Sequence, residues 1–134
     1  FILTEIISTS IGLGYSDSDA VVDAGNDYET YDVSFGLNFA FPWAYIAVGN
    51  AMSFNDYKRE DTSVSSTKIR SDYTNTFDIM LTKAIGDIFP TIDPNRSLFI
   101  NLSYEKLISE ANMLNYDYIS DSFSLSFSKS LRLN

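Results

Sequence analysis

The chain has 134 residues, with nine Lys and Arg against 18 Asp and Glu, so its formal net charge is −9 at pH 7. It contains no His and no Cys, which excludes Ser-His-Asp and Cys-His nucleophiles, zinc sites built on imidazole or thiolate, and disulfides. Nucleic acid is not expected as a partner, because binding to phosphates needs Lys and Arg.

Alternation with period two is the main signal along the chain, and no segment shows a helical period. It predicts six long strands, near residues 1–16, 28–41, 43–57, 69–85, 97–109 and 115–133. In the first, Glu5 falls in the apolar row, which indicates a bulge or a different placement of the strand. The second alternates cleanly, with aromatic and aliphatic residues at every odd position from Tyr31 to Phe41.

The remaining strands differ in how sharply the two rows separate. The third has small residues where a polar row is expected, and in the fifth Phe99 intrudes on the polar row. The fourth places Phe77, Ile79 and Leu81 opposite Thr and Asp. In the last, serine occupies every even position from 120 to 130 and alternates with aromatic and aliphatic residues. Six serines at strict spacing two indicate a strand with one polar face.

The connections differ in length and composition. Residues 17–27 and 58–68 are rich in Asp and Ser, whereas Pro42 marks a tight turn and two prolines stiffen 86–96. If the strands run up and down, 17–27, 58–68 and 110–114 lie at one end, which we call the loop end. The proline-containing turns and both termini then lie at the other, the turn end. This layout is typical of bacterial outer-membrane barrels.

Three features indicate that the apolar rows contact lipid rather than the core of a soluble protein. The strands are longer than the usual 5–6 residues. Aromatic residues collect near both ends, as in the girdles that mark lipid interfaces. The polar rows carry short side chains rather than Lys. The predicted girdle consists of Tyr15, Tyr28, Tyr31, Tyr57, Tyr73, Tyr116 and Tyr118 near the loop end and Phe41, Trp43 and Tyr45 near the turn end. The predicted lumen-lining residues are Asp32, Ser34, Asn38, Asp72, Asp78, Asn101, Glu105, Ser122, Ser124, Ser126 and Ser128.

The last hairpin also carries a family resemblance. Residues 98–106 and the final run 122–134 resemble the C-terminal part of a Gram-negative outer-membrane β-barrel. This resemblance implies residence in the outer membrane, contact with lipid and lipopolysaccharide, and assembly by the barrel-assembly machinery. Tyr104-Glu105, residues 109–112 and residues 116–118 are similar to the last hairpin of barrels attached to periplasmic helical-repeat scaffolds, which export polysaccharide or surface proteins.

The predicted fold class is all-β, an antiparallel up-and-down transmembrane β-barrel that occupies residues 1–134. Single-chain bacterial barrels begin at about eight strands. We therefore expect the chain to be the closing portion of a larger barrel, completed by further strands of the same chain or of other subunits.

Little in the sequence suggests catalysis or a cofactor, and no metal site is expected. Asp72 and Asp78 share a strand face but lie about 20 Å apart, too far for paired acid–base work. Asp17, Asp19, Asp23 and Asp27 could hold Ca²⁺ through oxygen atoms, but they lack the Glu and Gly of a calcium loop.

The expected function is a non-enzymatic pore or export conduit. The alternatives are a soluble β-barrel that binds a lipophilic ligand in an apolar interior and a structural barrel with a plugged lumen.

Overall fold

The computed structural model describes residues 6–19, 27–60, 67–113 and 116–130. Its six strands lie where the alternation predicts them. They are β1 (Ile6–Ser18), β2 (Tyr28–Ala40), β3 (Tyr45–Glu60), β4 (Ile69–Ala84), β5 (Leu98–Ala111) and β6 (Tyr118–Lys129). The predicted misfit at Glu5 and the last residues of the predicted final strand lie outside the described residues.

The six strands form one antiparallel sheet in sequence order, with β1 and β6 at its two edges. The all-β, up-and-down prediction is therefore confirmed. The sheet is open: closure would require β1 to pair with β6, and neither strand has a second partner in the described part of the chain. A closed barrel is thus not formed by these strands, in keeping with the roughly eight strands needed to leave room for interior side chains.

The ladders are long and regular. β1 and β2 pair over 13 residues, as do β2 and β3, and the register shifts once, between Asp56 and Glu60 where β3 meets β4. A tight turn joins β2 to β3, with the Phe41 amide donating to the Ala44 carbonyl at 2.9 Å. β4 leads instead into a short 3-10 helix, Ile85–Asp87, which the sequence pattern does not predict.

The register sorts side chains onto two faces, because directly paired residues point the same way. The polar face carries the rows that contain Asp32, Asp78 and Ser124. The apolar face carries the rows that contain Phe35 and Ile79.

The apolar face is open to the surroundings across the whole sheet. Exposure reaches 81% at Leu13 on β1 and 80% at Phe123 on β6. The buried apolar residues of the described chain are Ala44, Ala84 and Met113, so no core of large side chains covers this face. Among the same residues, no helix is long and apolar enough to cross a membrane.

Candidate functional site

The candidate site is the polar face of the sheet. The register brings every predicted lumen-lining residue to this face. These are Asp32, Ser34 and Asn38 on β2, Asp72 and Asp78 on β4, Asn101 and Glu105 on β5, and Ser122, Ser124, Ser126 and Ser128 on β6. Phe99 also faces this side, as its place in the polar row predicts.

Short polar side chains bond across neighbouring strands on this face. The Thr82 hydroxyl donates to the Asn101 amide oxygen at 2.8 Å, and the Asn101 amide nitrogen reaches the Ser128 hydroxyl at 3.2 Å. The Ser103 and Ser124 hydroxyls lie 2.7 Å apart. The serine row thus continues a hydrogen-bonded polar surface that β4 and β5 begin.

Three exposed carboxylates lie on the polar face, two of them near its middle and one nearer the loop end. Asp78 on β4 pairs directly with Glu105 on β5, and Asp32 lies on β2. The Asp78 carboxylate lies over Gly49, where a Cβ would collide with it. From Asp32 to the turn end, the described strand positions of this face carry no Lys or Arg. The mid-height of the polar face is therefore negatively charged.

Asp72 differs from those carboxylates because Arg70 neutralises it. The Arg70 Nε donates to Asp72 Oδ1 at 2.7 Å, and the Arg70 Nη2 donates to Asp72 Oδ2 over a shorter distance. The same guanidinium lies 3.6 Å from the ring centre of Tyr116 and 4.6 Å from that of Tyr57. Sequence reasoning missed Arg70, although its spacing of two from Asp72 places both side chains on one strand face.

The residues of the predicted aromatic girdle are divided between the two faces of the sheet. Tyr15, Tyr31 and Tyr73 lie in one row of the apolar face, and the Tyr15 and Tyr31 rings are 5.3 Å apart. Four of the predicted residues lie on the polar face instead, namely Tyr28, Tyr45, Tyr57 and Tyr118. They stand at even positions of β2 and β6 and odd positions of β3, which the pleat turns away from the apolar band.

The remaining girdle residues lie outside the strands. Phe41 stacks on Trp43 at the β2–β3 turn, with ring centres 5.3 Å apart. Tyr116 stacks on Arg70 in the segment between β5 and β6.

The apolar face contains polar residues that sequence reasoning did not single out. The Asn50 amide donates to the Asn75 amide oxygen at 2.6 Å and to the Thr76 carbonyl at 3.1 Å. Nearer the far edge, Asp121 accepts from the Tyr104 hydroxyl at 2.6 Å. Because each amide or carboxylate has a partner, these groups are satisfied without breaking the ladder.

The polar face presents hydroxyl, amide and carboxylate groups to its surroundings. No group of three or more Asp, Glu, His or Cys side chains in the described ranges is close enough to hold a metal ion. Asp17 and Asp19, from the predicted calcium group, instead contact the Lys58 ammonium at 2.5 and 2.9 Å. Asp23 lies outside the described residues.

No family model, curated protein or solved structure matches this chain. Its function is therefore inferred from its own residues and their geometry.

At the turn end, Asp93 organises the segment between β4 and β5. Its buried carboxylate accepts from the Ser97 amide at 2.9 Å, the Ser97 hydroxyl at 3.0 Å and the Leu98 amide at 2.8 Å. Burial alone would raise the pKa of Asp93, but these hydrogen bonds to the charged form outweigh it and lower the pKa below its usual value.

Replacing Asp93 with Asn is expected to lower the unfolding midpoint at pH 7 and to remove a pH dependence. A lowered folded-state pKa stabilises the fold above about pH 4, the unfolded aspartate pKa, and this stabilisation is lost as pH falls through the lower folded value. When the pH drops below about 4, the unfolding midpoint of the wild type should therefore decrease and approach that of Asp93→Asn. Unfolding measured from pH 3 to pH 7 checks this. The exposed Glu60→Gln serves as control, and equal pH profiles for wild type and Asp93→Asn would refute the role given to Asp93.

Proposed function

We propose that the chain forms part of the wall of a β-barrel in the outer membrane of a Gram-negative bacterium. In this proposal the polar face lines a pore or export conduit, the apolar face contacts lipid and lipopolysaccharide, and the barrel-assembly machinery inserts the strands. The wall is non-enzymatic. The observation that carries the proposal is the apolar face, which is exposed on all six strands with no core over it in the described residues.

The apolar band ends at a single residue row on four neighbouring strands at the loop end. This row consists of Tyr15 on β1, Tyr31 on β2, Phe54 on β3 and Tyr73 on β4. The next apolar-face positions toward the loops are Asp17, Glu29, Asp56 and Ser71. Aromatic residues followed by polar ones are expected where an apolar surface meets the lipid headgroups.

The height of the band also suits a bilayer. Along β2 and the residue that follows it, the band extends from Tyr31 to Phe41. This is roughly 33 Å along an extended chain. At a tilt of about 45° this becomes roughly 23 Å along the membrane normal, close to the ~25 Å apolar band of outer-membrane barrels.

Small residues support the polar face as the inner one. A Cβ at Gly12 would collide with the Ser34 hydroxyl, and a Cβ at Gly36 would collide with the Ser10 hydroxyl. These glycines, like Gly49, lie on the polar face. The inner side of a curved sheet has less room for side chains, so crowding on this face favours a polar lumen and an apolar exterior.

The two edges of the sheet need partner strands in this proposal. In a bilayer every backbone amide and carbonyl must be paired within protein. β1 contains no Lys, Arg or Pro, and the one Lys of β6 stands at its last residue, so most of each edge lacks the Lys and Pro that protect soluble edge strands. Further strands of the same chain or of other subunits would complete the barrel, and the similarity of the last hairpin to export barrels favours a conduit.

The competing proposal is a soluble barrel with the apolar face turned inward around a lipophilic ligand. A groove of about 470 Å³ on β4, β5 and β6 favours it, being within the size range of ligand pockets. It is lined mainly by Ile79, Leu81, Leu102, Tyr104, Phe123 and Leu125.

Fractionation and conductance distinguish the two proposals. Produced with an export signal in a Gram-negative host, together with the strands that complete its barrel, the chain should sediment with outer membranes, resist extraction by carbonate and dissolve in detergent. The purified complete barrel should give discrete conductance steps in planar bilayers. A protein that stays soluble and monodisperse without detergent would contradict the membrane proposal. A membrane-inserted protein without conductance would contradict the conduit and favour a plugged barrel.

A further inference from the structure

The long β4–β5 segment, residues 85–97, folds back on itself at the turn end. Its buried Gly86 packs against the Asp93 carbonyl and against Arg96, leaving no space for a Cβ. The Arg96 amide donates to the Asp93 carbonyl at 3.1 Å. Arg96 itself has φ of 51°, an uncommon conformation for a residue other than glycine. These contacts together fix the position from which the Arg96 side chain extends.

The Arg96 side chain crosses the ends of neighbouring strands. Its Nε lies 2.8 Å from Asp87 Oδ1, and its Nη2 lies 2.9 Å from Asp87 Oδ2. The same Nη2 lies 3.4 Å from the carbonyl of Pro42 in the β2–β3 turn. Because Arg96 comes just before β5 and Pro42 just before β3, the guanidinium spans the turn end of β4 on its way to the neighbouring turn.

The crossing lies on the polar side of the sheet. Arg96 and Asp87 line a small cavity of about 180 Å³ together with Ala40, Tyr45, Thr82 and Phe99. The register places those last four residues on the polar face. The bidentate pair therefore covers the turn-end margin of the same face that carries the carboxylates and the serine row.

We propose that Arg96, held by Asp87, forms a strap across the turn-end mouth of the conduit and narrows it. The existence of a conduit rests on the proposed function, whereas the strap itself rests on the contacts of Arg96 with Asp87 and Pro42. A planar guanidinium can make two parallel bonds to a carboxylate, a geometry that Lys cannot reproduce. Pore width and lining charge decide what a conduit passes, so Arg96 would limit passage at this end.

Thiol accessibility tests the strap without relying on conductance. The chain has no Cys, so an Ala40→Cys variant carries one thiol, in the cavity beneath the guanidinium. In detergent-solubilised protein, adding Arg96→Ala should raise the rate at which a water-soluble methanethiosulfonate modifies that thiol by about tenfold, since pore-lining side chains control access. Asp87→Asn, which releases Arg96 without shortening it, should raise the rate to a smaller extent.

The matched control removes a cation from the other face of the same end. Lys129 pairs with Leu98 on the apolar face, so Lys129→Ala should leave the rate unchanged. Unchanged modification in both Arg96→Ala and Asp87→Asn would overturn the strap. In planar bilayers, Arg96→Ala should also conduct better than wild type, and equal conductance would overturn the narrowing. A complete wild-type barrel that is silent in bilayers would overturn the conduit. The thiol rates would still decide whether the strap exists.

Discussion

Ile79→Arg is expected to weaken folding into phospholipid vesicles by about 2–4 kcal/mol, the cost of an Arg on the lipid face at the bilayer centre. Ile79 lies on the apolar face of β4, between Val48 and Tyr104 in the neighbouring strands. Its row passes through Leu37 on β2, between Tyr31 and Phe41, so this position stands near the mid-height of the apolar band. Since about 1.4 kcal/mol changes an equilibrium tenfold, the equilibrium constant for folding at a fixed urea concentration should fall by roughly 30-fold or more.

Depth dependence separates this result from ordinary loss of packing. Tyr73→Arg, on the same strand and face but at the loop-end limit, should cost only about 0–1 kcal/mol, because the penalty fades toward the interface. Thr76→Arg, on the polar face of β4, should cost equally little. Urea titrations of vesicle folding, followed by fluorescence of the single Trp43, measure all three. Equal losses for Ile79→Arg and Tyr73→Arg would contradict a lipid-facing band and favour a soluble core.

Alternation was sufficient to predict the faces because each strand is regular and nearly all pairs keep one register. Once Asp32 and Asp78 are placed in the polar rows of their own strands, the ladder brings both to one face. Tyr28 and Tyr31 stand at an even and an odd position of β2, so their side chains lie on opposite faces. The alternation along β2 therefore already separates the faces of these two tyrosines in the sequence, whereas their shared nearness to the loop end does not.

Other features depend on pairing that no local pattern contains. Asn50 and Asn75 each interrupt an apolar row, and only the β3–β4 register shows that one satisfies the other. The path of Arg96 depends on a folded-back turn and a positive φ rather than on strand periodicity. An open sheet could likewise not be read from alternation, which counts strands but does not say whether the first and last strands meet.

The carboxylates at mid-height lead to the second large prediction, which concerns charge selectivity. Asp78 and Glu105 stand directly opposite on β4 and β5, and this part of the polar face carries no described Lys or Arg. Rings of acidic side chains favour cations in channels. The double variant Asp78→Asn/Glu105→Gln should therefore lower the cation-to-anion permeability ratio several-fold toward unity. Reversal potentials across a KCl gradient measure this ratio.

The stability of the double variant, compared with that of wild type, provides an internal check on that experiment. Like charges directly opposite in a sheet are unfavourable by up to about 1 kcal/mol, so the double variant should fold as well as wild type or better. A charge-matched control, Asp56→Asn/Glu110→Gln, removes two carboxylates from the apolar face near the loop end. Salt screens exposed charges beyond about 8 Å, so the control should leave the reversal potential unchanged. An equal shift in both variants would mean that selectivity comes from overall charge, and the polar face would then not be the conducting surface.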